Sequence, residues 1–184
     1  MGKGIKCLLV EELHGILNSE KQIVKALPAM VTAAECRHLK NAFAIHLKET
    51  KGQVQRLEKI FHLLNVKQKP HLCKVTKGLI DACKEVLKEF KVKSPIRDAA
   101  LISKAQRIEH LEIAAYGTTR TFARELGLNE VADLLQATLD EEGNADKSLT
   151  KIAEGGLLKS GINHQAQIAC KTHPKSRKKK KASK

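Results

Sequence analysis

Six acids sit where a carboxylate costs stability: Glu20, Glu49, Glu109, Glu112, Glu142 and Asp146 recur within or at the margins of apolar helical faces. The clearest case lies in residues 99–127. At about 100° per residue, Leu101, Ala105, Ile108, Ala115, Tyr116, Phe122, Ala123 and Leu126 share one face, with Glu112 at its centre and Glu109 one turn earlier at its edge. A carboxylate in a core must be paired, hydrogen-bonded or bound to metal, because leaving it bare costs several kcal/mol. Glu20 is likewise central to the face of Val10, Leu13, Leu17, Val24, Leu27 and Val31. Four to six carboxylates with one or two imidazoles inside a helix bundle suit two metal ions, iron or manganese. His46, Gln53, His110, Tyr116 and Glu141 are the neighbouring candidates, as further ligands or as groups that hold the ligands in place.

The elements that must position these residues are all helical. Periodicity predicts a first helix over about residues 8–34, with Pro28 expected to kink it or shift its last turns. A second follows over about 36–65, where His46 and Gln53 interrupt an apolar face of Leu39, Phe43, Leu57, Ile60, Phe61 and Leu64, and Glu49 lies at the margin. After a break around Pro70 comes a short amphipathic piece from Leu79 to Phe90. Ser94 and Pro95 start the helix that carries Glu109 and Glu112, and Gly127 suits the position just past its end. The last bundle helix spans about 129–154, before Gly155 and Gly156.

An internal repeat ties these helices together. At an offset of 92 residues, Leu47, Glu49, Leu57, Lys59 and Ile60 match Leu139, Glu141, Leu149, Lys151 and Ile152, and Glu20 falls on Glu112. Two helical hairpins joined by a long connection make a four-helix bundle with one crossover, the crossover holding the extra short helix. The shared register brings the carboxylates to one height. On the last helix, Glu142 lies deeper in the apolar face than the strict repeat partner Glu141, and Asp146 follows one turn later, so Glu142 is taken as the ligand.

The strings SEKQIVKALPAM, HLKETKGQVQRLEKIF, RDAALISKAQRIEHLEIAAYGT and LLQATLDEEGNADKSLTKIA resemble the YciE/YciF family of bacterial ferritin-like stress proteins, over about residues 13–153. The resemblance implies an all-α ferritin-like four-helix bundle, a di-metal carboxylate site and a homodimer. It places the family's acidic pattern on Glu20, Glu49, Glu109, Glu112, Glu142 and Asp146, with His46, Gln53 and His110 close by. One departure bears on chemistry. Ferritins and rubrerythrins carry Glu-x-x-His on two helices, whereas here Gly52 follows Glu49 and Ala145 follows Glu142 at that spacing. Glu35 with His38, and Glu11 with His14, have the spacing but lie away from the acidic level, so they are read as peripheral. The expected site is therefore rich in carboxylate, serving iron handling or an oxidase- or peroxidase-like reduction of oxidants under stress.

Composition sets the remaining bounds. The 184 residues suit one bundle domain, 1–156, and a basic, disordered tail, 157–184. No apolar run is long enough to span a bilayer, and the expectation is a soluble, cytoplasmic protein without a membrane partner. Five scattered cysteines without a C-x-x-C pair read as reduced thiols. The net charge is +14, and the last fourteen residues hold eight of the 34 Lys and Arg and no acid. Lys175, Arg177, Lys178, Lys179, Lys180 and Lys181 could hold nucleic-acid phosphates weakly, without sequence preference and in a salt-dependent way. A second class of function follows: a non-catalytic helical binding protein whose acidic layer is structural, with or without metal, and whose tail touches nucleic acid.

Overall fold

A computed structural model describes residues 4–156 and 160–172. Six helices run in order: α1 (Ile5–Ala33), α2 (Arg37–Leu63), α3 (Lys74–Glu89), α4 (Pro95–Glu125), α5 (Asn129–Glu154) and α6 (Ile162–Thr172). The hairpins α1–α2 and α4–α5 form the bundle, with α1 also against α4 and α2 against α5. The connection from α2 to α4 contains α3, which packs on α1 and α4. No strand occurs among the described residues.

Helix ends follow from local chemistry. Ser94 caps α4, its hydroxyl accepting from the Arg97 amide at 3.3 Å, with Pro95 in the first turn. At the other end Gly127 takes φ 68°, where the amides of Gly127 and Leu128 return to the Arg124 and Ala123 carbonyls. That is the left-handed stop expected of Gly127. Asn65, at φ 52°, ends α2 in the same way, donating to the His62 carbonyl while Val66 donates to Phe61. The start of α4 also ties down the α1–α2 turn. The Asp98 carboxylate accepts from the amides of Glu35 at 3.0 Å and Cys36 at 2.7 Å. Buried Arg97 donates to the carbonyls of Ala33, Phe90 and Lys91. These contacts satisfy helix-end groups that would otherwise be orphaned inside the protein.

Pro28 and the expected tail both bear on where the helices run. The α1 helix runs through Pro28 as one element, with Pro28 on its exposed side and the helix ending five residues later. A missing amide on the solvent side leaves a carbonyl that water can satisfy, so the helix tolerates it. Within the stretch expected to be a tail, residues 162–172 form α6 against α4 and α5, and Ile162 is buried in the core. The disorder argument rested on the lysine run further along, whereas α6 has an apolar anchor. Lys175, Arg177, Lys178, Lys179, Lys180 and Lys181 lie outside the described residues.

The core is split in two. One apolar half gathers Ile23, Leu27, Met30, Leu39, Phe43, Leu101, Ile102, Ile108 and Leu149, with Ile80, Cys83 and Val86 from α3. The other gathers Leu9, Leu13, Leu17, Leu57, Ile60, Phe61, Tyr116, Ala123, Val131 and Leu135. Each fully buried Leu, Ile or Phe contributes about 1.5–3 kcal/mol. Between the halves, every bundle helix turns a buried polar residue inward: Glu20 on α1, His46, Thr50 and Gln53 on α2, Glu109 and Glu112 on α4, Thr138 and Glu142 on α5. The helices thus place a polar layer at mid-height, sealed on both sides.

Candidate metal centre

Glu20 and Glu142 are 0% exposed, Glu109 and Glu112 3%, and His46 5%. Carboxylate oxygens of Glu109, Glu112 and Glu142 and a ring nitrogen of His46 all lie within 4.8 Å of one another. The His46 Nε2 stands 3.5 Å from Glu109 Oε2 and 4.0 Å from Glu142 Oε2. Glu20 lies on the α1 side of the group, its carboxyl against that of Glu112.

What surrounds the acids is as informative as their proximity. Among the described residues, no Lys or Arg forms an ion pair with Glu20, Glu109, Glu112 or Glu142. The Tyr116 hydroxyl donates to Glu20 Oε1, and the Gln53 amide donates to Glu142 Oε1. Glu20 Oε2, both His46 nitrogens, Glu109 Oε2, both Glu112 oxygens and Glu142 Oε2 are buried without a hydrogen-bond partner. Burial, and after it the charge of neighbouring carboxylates, pushes the Glu20, Glu109 and Glu112 carboxyls well above the ordinary value of 4.5. Burial and the same acids push the Tyr116 phenol up as well. A native core rarely leaves so many polar atoms unmatched, and unpartnered carboxylate and imidazole atoms aimed at one point are the donor set of a hard-to-intermediate cation. The residues present fit a metal.

The remaining expected residues fall around this group. Glu49 is half-buried at its edge, 3.9 Å from His46 Nδ1. Asp146 is one turn away on α5, accepting from the Gln106 amide at 3.0 Å and lying 3.4 Å from the exposed His110. Glu141 faces Arg56, which holds it through two nitrogens at 2.8 and 3.0 Å, while Gln53 donates to it at 3.0 Å. Burial alone would raise the Glu141 carboxyl, but the Arg56 guanidinium and the Gln53 amide hold it below its ordinary value. Adjacent acids thus have opposite surroundings: Glu141 is paired with a cation, Glu142 points into the group. Gln53 touches both and fixes their relation. Tyr116 lies in an apolar half of the core and hydrogen-bonds Glu20 at the same time.

Two contributors, Arg56 and Thr50, escaped the sequence reading, and a third buried polar residue, His14, lies outside the group. Arg56 anchors Glu141 and donates to Thr138 Oγ1 at 2.6 Å, and its only signal is its place one turn after Gln53. Thr50 is fully buried, its hydroxyl donating to the His46 carbonyl at 2.7 Å. His14, read as peripheral, is buried, with ring nitrogens 2.7 Å from the Val10 carbonyl and 3.2 Å from the Lys67 carbonyl, and its ring lies beside Phe61. It is a satisfied core histidine outside the group.

Paired helical hairpins, a crossover that holds a short helix, and a mid-height group of buried Glu and His define a ferritin-like all-α bundle. A family profile described as a domain of unknown function, DUF892, matches residues 5–166, and the chain belongs to that family. Protein YciF of Escherichia coli strain K12 is 39% identical over 162 residues, 88% of this chain and 97% of that protein. The crystal structure of the E. coli stress protein YciF superposes with a TM-score of 0.78 at 40% identity, covering 82% of this chain and 94% of that one. YcfI of Rhodopseudomonas palustris gives 0.77 at 36% identity, covering 82% and 95%. A protein of Xanthomonas campestris pv. campestris shares the fold, with a TM-score of 0.64 at 21% identity over 92% and 96%.

Proposed function

We propose that the buried group holds two metal ions, iron or manganese, and that the protein serves iron handling or the reduction of oxidants under stress. The observation that carries this reading is the set of unpartnered, buried carboxylate and imidazole atoms converging between the two halves of the core. His46, Glu109, Glu112 and Glu142 would be ligands, with Glu20 beside Glu112 and Glu49 and Asp146 within a turn of the group. Iron held by these residues would be the source of electrons for reducing dioxygen or a peroxide. The protein's part is to orient and insulate. Gln53 holds Glu142, Thr50 braces the backbone of His46, and the apolar halves exclude water. Tyr116 keeps a proton at Glu20 Oε1, where negative charge would otherwise accumulate. The stress role draws on the likeness to YciF, described as a stress protein of E. coli.

The test is metal per chain after anaerobic loading with Fe(II), followed by absorbance on exposure to oxygen or peroxide. About two irons per chain, lost in Glu112→Ala, with a near-ultraviolet band on oxidation, is the expected result. No stoichiometric metal would leave the layer structural and favour the non-catalytic binding protein. The resemblance also carries the reading of a cytoplasmic homodimer, checked by light scattering on the eluting peak. The charge of the lysine run supports weak phosphate contact, checked by salt-dependent DNA binding with and without residues 171–184.

A further inference from the structure

Both His46 nitrogens, Glu109 Oε2, both Glu112 oxygens and Glu142 Oε2 are shielded from solvent, so an ion reaches them only past a side chain that stands between the group and water. On the α1–α4 side the Glu112 oxygens are enclosed and Tyr116 is 0% exposed, so no ligand atom there faces water. Between α4 and α5 the Asp146 side chain is 19% exposed beside His110, but the Gln106 amide already holds it at 3.0 Å. Between α2 and α5 the surroundings differ. The Glu49 side chain is 36% exposed and stands 3.9 Å from His46 Nδ1, and among the described residues no Lys or Arg forms an ion pair with it. The His46 ring has no hydrogen bond, and its other nitrogen, Nε2, lies 3.5 Å from Glu109 Oε2 and 4.0 Å from Glu142 Oε2. One imidazole thus has a solvent-side acid at one nitrogen and two enclosed acids at the other. A space of about 120 Å³ lies beside it, and its polar lining is His46, Glu49, Glu109, Asn144 and Ser148, with no Lys or Arg. At about 30 Å³ per water, that is room for an ion with a few waters and too little for an organic substrate.

We propose that divalent metal enters between α2 and α5 and that Glu49 is its carrier: the carboxylate takes the ion from water and passes it beside His46 to Glu109 and Glu142, without staying as a ligand of the loaded site. The proposal rests on the metal reading and adds the route to it. Charge favours this seam. A chain of net charge +14 repels cations from most of its surface, and an acid-lined mouth without a basic residue is where they approach. Position makes Glu49 a carrier rather than a resident ligand. It lies outside the set of His46, Glu109, Glu112 and Glu142 whose donor atoms are all within 4.8 Å of one another. Its side chain has no hydrogen bond to break before it swings. A carrier lowers the barrier in both directions, so it sets the rates of uptake and release and leaves the equilibrium alone.

The experiment follows Co(II) uptake by the full chain in stopped-flow absorbance, then release into excess chelator, and counts cobalt per chain at equilibrium. Glu49→Gln should slow uptake and release at least tenfold each and keep the cobalt content. Ala145→Leu, which narrows the opening without touching an acid, should slow both at least threefold. Glu85→Gln, an exposed acid on α3, removes the same charge and should leave both rates within twofold. Glu49→Gln alters a side chain that is partly exposed and without a hydrogen bond, so it keeps the test open if Ala145→Leu does not fold; circular dichroism checks both. A native chain that takes up no cobalt would overturn the route together with the metal reading. Stoichiometric uptake at a rate indifferent to Glu49→Gln, or to a folded Ala145→Leu, would overturn the route alone. Equal slowing in Glu85→Gln would reduce the effect to overall charge and overturn it too. Loss of cobalt from Glu49→Gln with faster release would make Glu49 a resident ligand and overturn the carrier role.

Discussion

Replacing Glu112 by glutamine should stabilise the metal-free protein and abolish its stabilisation by metal. In the metal-free state Glu112 is 3% exposed, both its oxygens lack partners, and it adjoins the carboxyl of Glu20. An unsatisfied buried polar group carries a penalty of about 1–3 kcal/mol, and the isosteric amide both removes a charge and offers a donor to Glu20. For a chain of this size each kcal/mol moves the midpoint by about 2–4 °C, so Glu112→Gln should melt about 2–12 °C above the native protein at neutral pH. Metal at a hundredfold above its dissociation constant should add about 2.7 kcal/mol to the native protein and nothing to the variant, closing most or all of the gap or reversing it. The pH dependence has a definite sign. With Glu20, Glu109 and Glu112 raised above 4.5, the folded state keeps protons that the unfolded chain releases. Metal-free stability is therefore greatest below about 4.5 and falls as pH rises through the raised values, more gently in the variant. Thermal melts followed by circular dichroism from pH 4 to 8, with chelator and with Mn(II), read all of this. A metal-free Glu112→Gln that melts below the native protein, or one that metal stabilises equally, would refute the reasoning.

Other substitutions separate structural from ligand roles. Glu142→Gln should lose metal, whereas Glu141→Gln should keep it and weaken only the contacts with Arg56 and Gln53, as measured by metal content per chain. Tyr116→Phe removes the hydroxyl that donates to Glu20 and should lower metal-free stability by about 1–3 kcal/mol in urea titration, with metal uptake preserved. Asp98→Ala orphans the amides of Glu35 and Cys36 at the α1–α2 turn and should cost about 1–3 kcal/mol without changing metal content.

The helices, the crossover and the polar layer were legible because they depend on periodicity and spacing. An apolar stripe with a central acid at Glu20 and again at Glu112 marks a buried charge wherever the helices are placed. Gly127 and Ser94 act through local backbone geometry and were readable for the same reason. Less legible were residues whose role is set by what faces them. Glu49 and Asp146 have the right register but stand beside the group, because a helix face is about 100° wide and register alone does not say which edge turns inward. Arg56, Thr50 and His14 belong to the same class, each defined by a partner on another helix or by the backbone one turn back.

By itself the sequence determined that four long amphipathic helices would bury several carboxylates at one level, since that follows from a 3.6-residue period repeated at an offset of 92. The apolar face already favoured Glu142 over Glu141, but only the tertiary structure decided what each acid meets. Glu141 and Glu142 are chemically identical neighbours, yet one meets Arg56 and the other meets His46 and Glu109. Adjacent positions on a helix point about 100° apart, and the packing of α5 against α2 and α4 turns one toward a cation and the other toward the centre.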